Sequence, residues 1–307
     1  MDTQQFIQGL MDNAIDVPAT ADIIAVQQFS LDELKSRTRH LLALVLATQE
    51  DDCVSDRGDW ISTDEQTAVR LAQGARAMLY HASGAMQYVS ALTPLQALFK
   101  DVADKETLTR QVNAAAKKLG IAEWAGDQGS IAFERLWQMK AQGADPAGKI
   151  AEPVLCRIVG AYRHSVAGIP VLGAASVALR LAGTGAVDAL TVQVRPSASE
   201  RLDTARIIEP ELAARQLALQ LVSLLGTGRE QLPGDVIESQ SMQFGYLDLG
   251  KRKAQRLLAP AFVAQVVLRH KLERQAYVLA VQATEKTYMP ICSRGDDGLA
   301  TGTRGRC

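Results

Sequence analysis

The chain has 307 residues, 47% of them hydrophobic, and its 33 Lys and Arg nearly balance its 34 Asp and Glu. This length and apolar content suffice to bury a large core and favour two domains. The weak net charge and the 5% aromatic content argue against nucleic acid as a partner. No apolar run is long enough to span a membrane and residues 1–5 lack a signal-peptide pattern, so we expect a cytoplasmic protein without a membrane partner.

The cysteines and histidines give no metal-binding pattern. No Cys-x-x-Cys pair occurs, which favours reduced, isolated thiols over disulfides. The histidines have no ligand spacing, and zinc needs three or four convergent ligands. We therefore expect neither a metal nor a cofactor. The residues in question are Cys53, Cys156, Cys292, Cys307, His40, His81, His164 and His270.

Two helices of the N-terminal half are predicted from their first residues. Ser30 and Glu33 form a capping box, in which each side chain binds a free backbone amide at a helix start. The apolar spacing then continues to about residue 48. Asp104 begins a second helix, which Gly120 ends. The side chains expected to face inward are Leu31, Leu34, Leu41, Leu42, Val45, Leu46, Leu108, Val112, Ala115 and Leu119.

The rest of this half is predicted as a β-hairpin and two further helices. Residues 67–89 alternate apolar and polar side chains around a turn at Ser83 and Gly84, which is typical of a hairpin. A short helix is expected from Thr93, because proline follows at the first helical position. Another is expected from Ser130 to Gly143. Turn-forming residues then place a domain boundary near 148.

The C-terminal half is predicted to contain more sheet. Residues 154–195 contain three β-prone runs separated by two turns, the pattern of an antiparallel meander. A helix should follow over 210–225 and pack across that meander through Leu217, Leu221 and Leu224. Extended runs follow from 236, 260 and 277. We expect one domain over 1–148, a second over 149–291 and a disordered tail over 292–307.

One stretch of this half resembles a known module. Gly168, Pro170, Val171, Gly173 and Ala174 match the Gly-x-Pro-Val-x-Gly-Ala pattern of the propeptides of thermolysin-like and fungalysin-like metalloproteases. The resemblance covers residues 154–291. It implies a cystatin-like fold, with one helix on an antiparallel sheet, and the binding of polypeptides on a sheet surface. No His-Glu-x-x-His occurs, so the protease itself is absent.

These observations predict an α+β protein with a cystatin-like sheet and helix, preceded by N-terminal helices and a hairpin. The favoured function is non-catalytic binding of another polypeptide, as an inhibitor, chaperone or adaptor, because no catalytic motif is found. Main-chain pairing along a sheet edge would supply the affinity. The residues expected at this interface are Arg163, His164, Pro170, Tyr246 and Phe262.

The alternative is a small-molecule biosynthetic enzyme, a cyclase or isomerase, that encloses a small hydrophobic ligand in a pocket of the sheet. Such a reaction needs only one or two positioned proton donors and acceptors. Tyr80, His81 and Tyr88 on the predicted hairpin are the candidates. His81 and Ser83 are also two residues apart, so they could face the same side of a strand, but a turn serine and a surface histidine are the favoured explanation of the pair.

Overall fold

The computed structural model describes residues 3–12, 16–48, 59–71, 74–100, 104–144, 146, 148–173, 176–225, 236–270 and 273–291. Within these ranges the chain is a mixed α+β protein whose sheets are mostly antiparallel, as predicted. The helices are α1 Thr3–Met11, α2 Leu31–Leu46, α3 Lys105–Lys118 and α4 Pro210–Leu224, with a 3-10 helix over Ile121–Ala125. The strands are β1 Thr20–Val26, β2 Asp59–Ser62, β3 Gln66–Arg70, β4 Arg76–Tyr80, β5 Met86–Val89, β6 Gly129–Ala141, β7 Val154–Val166, β8 Ile169–Gly173, β9 Ser176–Leu181, β10 Val187–Gln193, β11 Ser197–Arg206, β12 Val236–Asp248, β13 Leu257–Leu258, β14 Pro260–His270 and β15 Glu273–Gln282.

Twelve of the described strands form one sheet with β7 at its centre. Strand β6 pairs with β7 along its whole length and therefore occupies one edge of β7. The other edge pairs with β8 near the turn and with β9 further along. Beyond this edge the sheet divides into an N-terminal wing of β9, β10, β5, β4, β3 and β2 and a C-terminal wing of β8, β12, β14 and β15. Only β8 and β12 pair in parallel. A separate small sheet contains β11, β1 and β13.

Each wing buries the apolar faces of two helices. Helices α2 and α3 pack with the N-terminal wing and β7, where Val45, Leu108 and Leu179 have no exposed area. Helices α1 and α4 pack against each other and against the C-terminal wing. The capping box at Ser30 and the cap at Asp104 form as predicted and fix where α2 and α3 begin.

Two predicted helices are wrong. Residues 129–141 form β6 instead of a helix, because their backbone pairs with β7 and alternate side chains such as Ile131 and Phe133 face the core. Thr93 does not begin a helix either. Its amide does donate the expected capping hydrogen bond to Gln96 Oε1 at 2.8 Å, but the chain turns at Ala97, whose φ is 50°. The guanidinium of buried Arg157 binds the carbonyl oxygens of Thr93 and Gln96.

The predicted meander is correct only in part. Residues 154–195 contain four strands, and the antiparallel neighbours are β7, β9 and β10, whereas β8 continues into the C-terminal wing. Helix α4 forms over the predicted range but packs against α1, β14 and β15 rather than the meander. Leu217 and Leu221 are buried there, and Leu224 is half-buried. Leu31 and Leu212 are exposed, contrary to the helical pattern.

The predicted domain limit near residue 148 lies between two strands that pair with each other. Strands β6 and β7 lie on either side of residue 148 and pair with each other, so the large sheet contains strands from both halves. The division into two domains stays a prediction. The tail over 292–307 lies outside the described residues, as do Cys53, Cys292 and Cys307, and Cys156 is a buried free thiol.

Candidate functional site

A concave surface of the described residues is the cleft at the start of α2. The capping box fixes this start, because the Ser30 amide donates to Glu33 Oε2 at 2.7 Å. The turn between β4 and β5 forms one wall, and the 3-10 helix and the segment after β10 form another. The cleft is partly open to solvent and has a cavity volume of about 50 Å³. Its lining includes Phe29, Arg37, His81, Ser83, Trp124 and Arg195.

Arg37 is held between two aromatic rings in this cleft. Its guanidinium carbon lies 4.3 Å from the ring centre of Phe29 and 4.6 Å from that of Trp124. A contact of this kind attracts a cation to the negative faces of the rings. Partial burial lowers the pKa of Arg37. Within the described part of the chain, no carboxylate pairs with this side chain.

Arg195 lies deeper in the cleft, with a side chain that is 2% exposed. Its Nε donates to Asp248 Oδ1 at 3.1 Å, and its Nη2 donates to the carbonyl oxygens of Gly250 and Lys253 at 2.8 and 2.7 Å. This network ties the segment before β11 to the turn after β12. The charge of Arg195 is neutralised by Asp248, so its primary role is structural.

His81 lines the cleft but has a hydrogen-bond partner on both ring nitrogens. Nδ1 lies 3.1 Å from the carbonyl oxygen of Asp64, which can only accept, so Nδ1 holds the proton. Nε2 then accepts from Thr67 Oγ1 at 2.7 Å. Thr67 is fully buried and also contacts Ser62 Oγ at 2.9 Å. The imidazole therefore joins β2, β3 and the turn after β4.

The other candidate catalytic residues do not converge with His81. Ser83 Oγ donates to the Lys251 carbonyl oxygen at 2.7 Å and accepts from the Ala85 amide, which is the role of a turn residue. Tyr80 lies under the Lys251 ammonium, 4.5 Å from its ring centre. Tyr88 is buried in the core beside Asp188, and burial followed by that carboxylate raises its pKa to about 12. Neither tyrosine lines the cleft.

The five predicted interface residues lie mostly inside the fold. His164 and Tyr246 have no exposed area, and neither does Phe262, which packs on Phe244 with ring centres 5.5 Å apart. Arg163 and Pro170 are half-buried. Buried side chains stabilise the core and present no area to a partner, so among these residues only Arg163 and Pro170 offer surface in this conformation.

Burial and ion pairing shift the pKa values of these residues and their partners in different directions. Burial lowers the pKa of His164 to about 4, despite opposing contributions from the Ala125 backbone and Asp248. Burial raises the pKa of Tyr246, whose hydroxyl donates to the Asp22 carbonyl oxygen at 2.9 Å. At the surface, Arg163 binds Glu134 at 2.6 Å, and this hydrogen bond is the main cause of the lowered pKa of Glu134.

A second candidate surface is the outer edge of β6, which was not predicted because this segment was expected to be a helix. Among the described strands, only β7 pairs with β6. Trp137 and Met139 lie two residues apart, and therefore on one face, and are 48% and 44% exposed. Arg135 lies 5.5 Å from the ring centre of Trp137. Ile150 and Val154 add exposed apolar area beyond the end of β6.

The described residues contain no group of three His, Cys, Asp or Glu side chains placed to hold a metal ion. Among the described helices, none is both long and apolar enough to cross a membrane. The absence of a cofactor stays a prediction.

Comparison with known proteins identifies a fold but no function. No protein-family model and no curated protein matches the chain. A similar fold occurs in the crystal structure of an uncharacterized protein from Eubacterium rectale ATCC 33656, with a TM-score of 0.52 and 10% identity over 90% of this chain and 88% of that one. At this identity the likeness concerns the fold alone.

Proposed function

We propose that this chain is a non-catalytic cytoplasmic protein that binds another polypeptide along the outer edge of β6. The observation that supports the proposal is the 13-residue length of β6 together with its single neighbouring strand. An antiparallel strand with one neighbour leaves the main-chain donors and acceptors of its other edge unpaired. An extended segment of a partner can bind these groups and extend the sheet.

The side chains near this edge favour it over the other edges of the large sheet. Strand β2 has only four residues, and β15 has ten. Beside β6, Trp137 and Met139 offer an aromatic and a flexible apolar contact, residue types that are enriched in protein interfaces. Main-chain pairing would supply affinity, while these side chains would select the partner.

The cystatin-like resemblance is compatible with this proposal at the level of architecture. Helix α4 lies on antiparallel strands β14 and β15, as the resemblance implies for a helix on a sheet, although α1 packs on the same wing as a second helix. We therefore assign the C-terminal wing with α4 as the cystatin-like unit, and we assign partner binding to β6 rather than to the buried Tyr246 and Phe262.

Affinity capture with matched variants tests the proposal. Replacing Trp137 and Met139 together by serine should remove the captured polypeptide, because both side chains are exposed and contribute little to folding. Leu219→Ser is the control, since Leu219 is 69% exposed on α4, away from β6. Hydrogen exchange on the captured complex should show new protection of backbone amides within residues 135–141. Equal capture by both variants, or protection confined to other strands, would contradict the proposal.

A small-molecule enzyme is the second candidate, because His81 lines the cleft. It is less well supported, since both imidazole nitrogens are engaged and Tyr80 and Tyr88 lie elsewhere. His81→Ala should abolish turnover of any substrate bound in the cleft. Full turnover by that variant would exclude His81 as a catalytic residue.

A further inference from the structure

The described side chains that line the cleft at the start of α2 include basic residues but no acidic ones. Among the described residues that line it are two arginines and a histidine, but no aspartate or glutamate. Asp248 already neutralises Arg195 at 3.1 Å. Arg37 has no such partner in the part of the chain that the structure describes, so the described lining of the cleft has one uncompensated positive charge.

The surroundings of Arg37 leave its donors available. A guanidinium has five N–H donors in a rigid plane and no acceptor. Phe29 and Trp124 contact Arg37 at distances typical of cation–π stacking, and they offer ring faces rather than lone pairs. No side-chain hydrogen bond of Arg37 is present within the described part of the chain. A planar guanidinium of this kind is suited to bind an oxyanion through two parallel hydrogen bonds.

Arg195 offers a further donor. Its hydrogen bonds use Nε and Nη2, which leaves Nη1 without a partner among the described residues. Because Asp248 balances its charge, Arg195 would contribute a hydrogen bond rather than net attraction. The oxyanion would therefore depend mainly on Arg37.

The remaining walls of the cleft define the rest of the ligand. Phe29, Leu34, Trp124 and Pro196 supply apolar and aromatic surface. The cavity volume of about 50 Å³ is below the usual range for a small-molecule site, so the cleft would hold the oxyanion and the rest of the ligand would lie along its open mouth. An inorganic ion alone would leave this apolar surface unused.

We propose that the cleft binds a small organic anion, whose carboxylate or phosphate group pairs with Arg37 and whose flat apolar part lies against Phe29 and Trp124. This site is independent of the polypeptide edge proposed above, because Trp137 and Met139 do not line it. It also needs no proton transfer by His81.

Calorimetric titration with four probes tests the proposal on the unmodified protein. Benzoate and phenyl phosphate carry the two candidate oxyanions on a flat apolar group, benzamide is a neutral analogue, and inorganic phosphate has no apolar part. At least one aromatic anion should bind with a dissociation constant below about 1 mM and about tenfold more tightly than benzamide or inorganic phosphate. The stronger of the two aromatic anions identifies the oxyanion class. No binding of either anion, or equal binding of benzamide, would overturn the proposal.

Two arginine variants on α2 locate the site. Arg37→Met removes the charge while keeping an apolar chain, and should weaken the aromatic anion by about tenfold or more. Arg39→Met is the matched control, because Arg39 also stacks on a tryptophan, Trp60 at 4.8 Å, but does not line the cleft. It should change affinity by less than about twofold. Equal weakening by both variants would place the anion elsewhere. If Arg37→Met fails to fold, Arg37→Lys keeps the charge and should still weaken binding, because it loses the planar pair of donors.

Discussion

Substituting Leu221 by alanine tests how α4 is attached to the C-terminal wing. Leu221 has no exposed area and belongs to the core shared by α1, α4, β12, β14 and β15. The three carbon atoms removed account for about 2 kcal/mol of transfer free energy, at ~0.8 kcal/mol each. A cavity in a packed core raises the loss, because the neighbours relax only partly. The free energy of unfolding should therefore fall by about 2 to 5 kcal/mol.

Leu219→Ala provides the matched control for this measurement. Leu219 lies two residues away on the same helix and is 69% exposed, so the identical substitution should change the free energy of unfolding by less than about 0.5 kcal/mol. Urea denaturation followed by circular dichroism gives both values from the transition midpoints. An unchanged midpoint for Leu221→Ala, or equal losses in the two variants, would refute the packing of α4 described above.

Three further predictions concern the buried polar groups and the tight contact between β8 and β12. Burial lowers the pKa of His164 from 6.5 to about 4, so between these pH values the unfolded chain binds more protons than the folded one. The free energy of unfolding should therefore fall by about 3 kcal/mol as the pH drops from 6.5 to 4. Urea titrations across that range should show a smaller fall for His164→Leu. Asp188→Asn should lower the free energy of unfolding by about 3 to 5 kcal/mol, because it removes the carboxylate that lies 2.9 Å from the guanidinium of buried Arg157. Thermal or urea unfolding measures this loss, and an unchanged stability would mean that the two charges do not interact. Gly245→Ala should lower the free energy of unfolding by about 1 to 3 kcal/mol, because the new Cβ would lie 2.4 Å from a carbonyl oxygen of β8. Gly143→Ala is the control and should be neutral, since the space around Gly143 is open. Equal melting temperatures of the two variants would contradict the contact between β8 and β12.

Local capping signals allowed α2 and α3 to be predicted from the sequence. Ser30, Glu33 and Asp104 act on backbone amides three residues away at most, so the sequence around each helix start contains the whole interaction. The β4–β5 hairpin was predictable for the same reason. The long strands β12 and β14 and helix α4 also follow from their own apolar patterns.

Elements that depend on distant partners were misassigned or missed. Ser130 suits a helix cap, and the apolar residues after it fit either a helix or a strand, so only pairing with β7 decides that β6 is a strand. Strand β11 contains mostly polar, exposed residues and has no clear alternation, and it is ordered by pairing with β1. The same limit applies to the cleft, because Arg37 and Trp124 meet through tertiary packing that no local spacing indicates.

The arginines of this fold explain why Arg37 marks a binding site rather than a structural feature. Buried Arg157 donates to four backbone carbonyl groups and pairs with Asp188, and buried Arg195 donates to two carbonyl groups and Asp248. Burying a charge without such partners is costly, and the chain meets this requirement at both positions. Arg37 is half-buried in a cleft with ring faces as its only described contacts. No described residue supplies an acceptor to Arg37, so a bound anion would fill this role, and the aromatic walls around it favour an organic anion over water alone.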